Sequence, residues 1–120
     1  MRQYTTPEQT AKLIELGFPQ PKSEVKVEQA GEYAWYNPAY SIQELKEMLP
    51  QKLKIPHTYI KEVYLYEKQI EDAPYPTLWE IGYNAYGLPF IVGLYLEAHG
   101  RELIDVYYEL ILKLKKIDLI

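Results

Sequence analysis

The stretch R101-ELIDVYYELILKL-K115-K116 decides how the chain is read. Leu103, Tyr107, Leu110 and Leu114 recur at spacings of four, three and four, and Ile104 and Ile111 widen the same stripe. That is the period of an amphipathic α-helix with one apolar face on a core. Arg101, Glu102, Asp105, Glu109, Lys113 and Lys115 fall largely on the other side. The acids come early and the lysines late, which complements the helix dipole. Burying each of the six apolar side chains contributes about 1.5–3 kcal/mol before the loss of chain entropy is counted. A helix over 101–116 is therefore the expected organising element.

Upstream, the period changes. In YIKEVYLYEK (59–68), Ile60, Tyr64 and Tyr66 share one face while Val63 and Leu65 share the other. In 77–86, Trp79, Ile81, Tyr83 and Ala85 alternate with Glu80, Gly82 and Asn84, the pattern of a half-buried strand. Tyr86-Gly87-Leu88-Pro89 reads as a turn, and Phe90, Val92, Leu94 and Leu96 place a third strand over 89–96. His99-Gly100 then breaks the chain before the last helix. These elements predict a three-stranded antiparallel meander covered on one face by the C-terminal helix.

Two short helices are signalled nearer the N-terminus. Thr6 is an N-cap, Pro7 suits the first helical position and Gln9 completes a capping box. Ala11, Leu13, Ile14 and Leu16 give an apolar face, and Gly17 supplies a left-handed stop, so a helix spans 6–16 with Phe18 folded back over its end. Ser41 and Glu44 form a second capping box before Ile42, Leu45, Met48 and Leu49, and Pro50 ends that helix, about 42–49. Between them, 19–32 is polar and reads as a loop or a short edge strand around Val25 and Val27. The aromatic run Tyr33, Trp35 and Tyr36 is a strand, or an irregular segment that drops Trp35 into the core, and Asn37-Pro38 marks a turn. The expected fold is a single α+β domain, residues 1–120, with a three-stranded meander, a long C-terminal helix and two short N-terminal helices.

The segment PAYSIQELKEMLP (38–50) resembles the pattern Pro-Ala-aromatic-Ser-Leu-x-x-Leu-x-x-Leu-Pro found in small uncharacterised proteins of gut Bacteroidetes genomes, phages and integrated mobile elements. Those proteins also open with a helix ending in Leu-Gly-Phe, like Leu16-Gly17-Phe18, and close with an amphipathic helix rich in Leu and Ile. The resemblance runs from about Tyr4 to the end, with Tyr40 standing where the pattern has tryptophan. It implies a mobile-element or phage context and no known activity.

Composition narrows the function classes. At 120 residues with 48% hydrophobic and 25% charged side chains, the chain is an ordinary globular length and mixture. A net charge of −4 gives no general attraction to nucleic acid or to an anionic membrane. With no cysteine there are no disulfides, no thiolate chemistry and no cysteine-ligated zinc. The longest apolar run, Leu88–Leu96, is far short of the about twenty residues that span a bilayer. MRQYTTPEQT carries no apolar signal region, and a cytoplasmic location is expected.

Candidate chemistry is sparse. His99 stands three residues before Glu102, close enough for acid–base work, but the simpler account is a surface turn. Neither His57 nor His99 has HxxxH or HxH spacing, so no metal ligand is expected. The only serines are Ser23, in the polar stretch, and Ser41, a helix cap, and neither sits in a nucleophile turn. Glu67 and Glu80 can face each other across a hairpin; the competing account puts both in solvent beside Lys61 and Lys68. No glycine-rich phosphate loop is present. No catalytic, cofactor-binding or metal-ligating residue is therefore expected, and no cofactor.

Thirteen tyrosines against two phenylalanines are the compositional oddity. Tyr33, Trp35, Tyr36 and Tyr40 cluster, and Tyr75 sits on a proline-bounded loop; tyrosine and tryptophan are the residues that anchor protein interfaces. These five are the expected interaction surface, for a protein partner not named by the sequence. The apolar tail Ile117, Leu119 and Ile120 either caps the core or joins a second copy in a homo-oligomer. Two rival functions stand beside this. Lys46, Lys52, Lys54 and Lys61 near Tyr59, Tyr64 and Tyr66 suit a nucleic-acid-binding accessory protein, although Glu44, Glu47 and Glu62 dilute the patch. A small enzyme or ligand-binding domain needs a deep pocket holding His99 with a carboxylate.

Overall fold

A computed structural model of the chain describes residues 2–54, 62–70, 78–84 and 96–120. Among these residues the elements are α1 (Pro7–Glu15), β1 (Ser23–Ala30), β2 (Tyr33–Ala39), α2 (Ile42–Met48), β3 (Lys52–Lys54), β4 (Glu62–Ile70), β5 (Leu78–Asn84), β6 (Glu97–Gly100) and α3 (Leu103–Lys116). The fold is α+β. The strands form two antiparallel sheets, a β1–β2 hairpin and a four-stranded sheet in the order β3-β4-β5-β6.

Both predicted N-terminal helices are present with their caps. Thr6 Oγ1 accepts the Gln9 N–H at 3.2 Å while Gln9 Oε1 accepts the Thr6 N–H at 3.0 Å, and Gly17 takes φ 96° just past the helix. Ser41 and Glu44 repeat the reciprocal cap at α2. All six residues of the predicted C-terminal stripe are buried, joined by Val106. α3 packs against β5 and β6 on one face of the four-stranded sheet, and α2 packs beside it against α3. Val63, Ile81, Tyr83 and Ala98 meet them from that face.

The meander needs two corrections. Its first two strands are β4 and β5, paired Tyr64↔Asn84 through Ile70↔Leu78. The sheet then has a further strand on each side. β3 is only Lys-Leu-Lys, too short for alternation to announce it; Leu53 is buried between two exposed lysines and pairs with Val63. On the other side, Glu97–Gly100 pairs with β5, where the sequence predicted a break at His99-Gly100. Its composition is poor for a strand, and the register with β5 together with burial of Ala98 holds it in place. The predicted third strand over 89–96 lies, apart from Leu96, outside the described residues. Gly82 is required where β6 crosses: a Cβ there would lie 2.6 Å from the Leu96 carbonyl oxygen.

The polar stretch after α1 is likewise more ordered than its composition suggested. β1 runs for eight residues and pairs with β2 from Ser23↔Ala39 to Ala30↔Tyr33, with a shift between Lys26 and Glu28 that leaves Val27 as a bulge. The turn falls at Gly31-Glu32, not at Asn37-Pro38. Gly31 alone has a positive φ, 62°, as a two-residue type II′ hairpin turn demands. Pro38 lies within β2 opposite Glu24, tolerated because a two-stranded sheet leaves each strand one unpaired edge.

Among the described residues two polar side chains are buried, Thr5 and Thr10, and both are satisfied. The Tyr40 N–H donates to Thr5 Oγ1 at 2.9 Å, Thr5 and Thr10 hydroxyls are 2.7 Å apart, and Thr10 donates to the Thr6 carbonyl at 2.9 Å. Since a hydroxyl has one proton, the chain runs in a single direction from Tyr40 to Thr6. The Thr5 N–H returns to the Tyr40 carbonyl at 3.0 Å, so the N-terminal segment and the end of β2 are stitched together inside the protein. At the other end of the chain, Leu119 and Ile120 fold against the core while Ile117 is exposed. No helix among the described residues is long and apolar enough to cross a membrane.

Candidate functional site

The hairpin carries the aromatic surface. Tyr33, Trp35 and Tyr36 are 75%, 53% and 54% exposed, and Val27, in the bulge, is 58% exposed. Strand alternation puts Tyr33 and Trp35 on one face and Tyr36 on the other, opposite Lys26. Of the two readings of this run, the strand holds and the irregular segment that drops Trp35 into the core does not: Trp35 stands exposed on β2. Val27 was not joined to the aromatic group by the sequence reading. Its signal was a valine isolated in a polar run, and only the cross-strand register relates it to Trp35.

The base of the hairpin is fixed from several directions. Tyr40, expected on the interaction surface, is instead 1% exposed. It is a core residue whose hydroxyl donates to the Pro19 carbonyl, so its ring is buried with the core cluster while its polar end is satisfied. Burial raises its pKa first, and the Glu44 charge raises it further. Glu44, the capping residue of α2, also accepts the Lys22 N–H at 2.8 Å and the Ser23 hydroxyl. Burial works to raise the Glu44 pKa, and the hydrogen bonds from Ser23, Lys22 and Ser41 outweigh it and hold the carboxyl below its ordinary value. One carboxylate thus caps a helix and anchors the first strand of the hairpin. Tyr75, the fifth expected surface residue, lies outside the described residues.

The tyrosines divide by chemistry. Tyr40, Tyr83 and Tyr107 are buried and each hydroxyl donates, to Pro19 O, to Pro50 O at 2.7 Å and to Glu67 respectively. Tyr33 and Tyr36 stand in solvent. The core and the surface readings of this residue type are both realised, in different parts of the fold.

The remaining sequence candidates are rearranged by register. Glu67 lies opposite Ile81, and it is Lys68 that lies opposite Glu80, so the two glutamates do not face each other. Glu67 turns to the helices, where it accepts from Tyr107 and lies 3.6 Å from Lys46 Nζ. Glu80 lies on the helix-free face, 2.6 Å from His99 Nε2. The predicted partner of His99, Glu102, instead accepts the Arg2 N–H at 3.0 Å. On the lysine patch, Lys46 pairs with Glu67 and Lys52 with Glu62 at 3.4 Å; His57 and Lys61 lie outside the described residues. Carboxylates therefore neutralise two of the cations a nucleic acid would need.

Compared with known proteins, the chain matches no family model, no curated protein and no solved structure.

Proposed function

We propose that the chain is a non-catalytic interaction domain of the cytoplasm that presents the β1–β2 hairpin to a partner protein, in a phage or mobile-element setting. One observation carries the reading: Tyr33, Trp35 and Tyr36 stand more than half exposed on a hairpin whose base is fixed by Tyr40 and Glu44. Large aromatic side chains held out in water on a rigid support have little to offer the fold and much to offer an interface, where such residues supply most of the binding energy. Among the described residues no third strand joins the hairpin sheet, so an extended partner segment can add to it by backbone hydrogen bonding.

The test compares the wild-type chain with a Tyr33→Ser, Trp35→Ser, Tyr36→Ser variant in pull-downs from nuclease-treated host lysate at low and high salt, read by mass spectrometry. A stoichiometric protein retained at high salt by the wild type and lost by the variant is the expected result. Identical recovery by both overturns the assignment to the hairpin. Recovery of nucleic acid alone from untreated lysate, lost at high salt, replaces the reading with the nucleic-acid rival.

A further inference from the structure

The face of the four-stranded sheet turned away from the helices gathers three side chains that no linear spacing brings together. In the β5–β6 register Glu80 lies opposite His99 and Gly82 opposite Glu97. Glu97 and His99, two residues apart, share this face. Gly82 places no side chain between Glu97 and its neighbours, and Tyr66, opposite Gly82 on β4, directs its hydroxyl to Glu97 Oε2 at 3.4 Å. One ligand-type atom from each of Glu80, Glu97 and His99 lies within 4.8 Å of the other two. We infer that these three side chains form a binding site for a single divalent transition-metal ion of the zinc class.

Charge and donor chemistry both point to a cation. Two carboxylates sit side by side, and among the described residues neither has a lysine or arginine within ion-pair distance. Lys113 approaches β6 but donates to the Glu97 backbone carbonyl at 2.6 Å. Among the described residues His99 is the one ion-pair partner of these carboxylates, the Tyr66 hydroxyl also reaches Glu97, and Lys68, opposite Glu80 on β4, forms no ion pair with it. One imidazole nitrogen with two carboxylate oxygens is a borderline ligand set: it suits zinc and its neighbours, whereas magnesium and calcium take oxygen shells. Zinc bonds of about 2.0–2.2 Å place tetrahedral ligand atoms about 3.3–3.6 Å apart. The separations here, 2.6 Å between His99 and Glu80 and none beyond 4.8 Å, are of the same order as that spacing. Three protein ligands leave the fourth position to water, and with side chains 40% and 17% exposed, His99 and Glu80 are reachable from solvent.

The experiment uses the full chain, treated with chelator and then titrated with zinc or magnesium by calorimetry and native mass spectrometry. Uptake of one zinc per chain with micromolar affinity and no magnesium is expected, with at least an about tenfold loss in His99→Gln and in Glu97→Gln, since even outer-shell changes cost that much. No zinc uptake, or undiminished uptake by both variants, overturns the site; the second result would place the ion elsewhere on the chain. Should the variants fail to fold by circular dichroism, the ring nitrogens of His99 in the wild-type protein give the answer by NMR. A saturable one-to-one shift of Nε2 on adding zinc supports the site, and an unmoved ring rejects it.

Discussion

Glu67 of β4 accepts a hydrogen bond from the hydroxyl of Tyr107 in α3, forty positions away in the chain. The same carboxylate oxygen lies 3.6 Å from Lys46 of α2, whose ammonium stands 5.7 Å from the centre of the Tyr107 ring. Three elements are joined at one point: a strand, the helix that covers it and the helix beside that. Burial raises the Tyr107 pKa, and the hydrogen bond and charge of Glu67 raise it further, so the phenol stays protonated and remains a donor. Apolar burial lets the helices slide on the sheet at little cost, whereas a directional bond at this corner selects one position.

Tyr107→Phe keeps the ring in the core and removes only the donor. Glu67 retains Lys46 and access to water, so the loss is about 1 kcal/mol, below the range for a fully buried bond to a charged group. Denaturant melts of the two proteins measure it; a variant as stable as wild type would show that the apolar contacts of the ring alone fix the helix.

Leu110 is fully buried at the middle of α3. Leu110→Ala should lower stability by about 2–5 kcal/mol, the range for large-to-small changes in a core. Chemical denaturation reads this directly, and a change below about 0.5 kcal/mol would be a surface effect and contradict the packing of α3.

Thr10→Val removes a hydroxyl while conserving shape. It strands the Thr5 hydroxyl, which is 5% exposed and has Thr10 as its acceptor. A loss of about 1–3 kcal/mol is expected, against a much smaller change for Thr10→Ser, which retains the chain of hydroxyls. Equal losses in the two variants would assign the effect to packing instead.

Glu44 gives a pH signature of defined sign. Its folded-state pKa lies below the ordinary value of 4.5, so its contribution is fully present above that value and is lost as pH falls through the folded-state pKa. Glu44→Gln should therefore be less stable than wild type at pH 7, by about 1–2 kcal/mol for the charge-assisted bonds. The difference should shrink on acidification below the ordinary glutamate range. Melts of both proteins across pH 3–7 test this, and a gap independent of pH would mean that the carboxylate charge does not contribute.

What the sequence disclosed follows from the range of the interactions involved. The caps at Thr6–Gln9 and Ser41–Glu44 are local chemistry, and the α3 stripe is periodic over four turns, so both could be read directly from residue order. β4 and β5 announced themselves by alternation. β3 and β6 did not, since three or four residues hold too little alternation, and what makes them strands is a neighbour far along the chain. The same limit applies to the sites. Tyr33, Trp35 and Tyr36 are neighbours in sequence and all three are exposed, while Tyr40 entered the core, where Thr5 and Pro19 hold it. The meeting of Glu80, Glu97 and His99 depends on strand register, which residue spacing does not encode.

The double duty of Glu44 has a mechanical consequence. A load applied at the hairpin tip is delivered through Lys22 and Ser23 to a carboxylate that also caps α2, and α2 leans on α3. The strand that carries the hairpin is thus tied at its start to a helix end. Side-chain changes at the tip leave the contacts of Glu44, Ser41 and Tyr40 in place, so binding and anchoring are carried by separate residues.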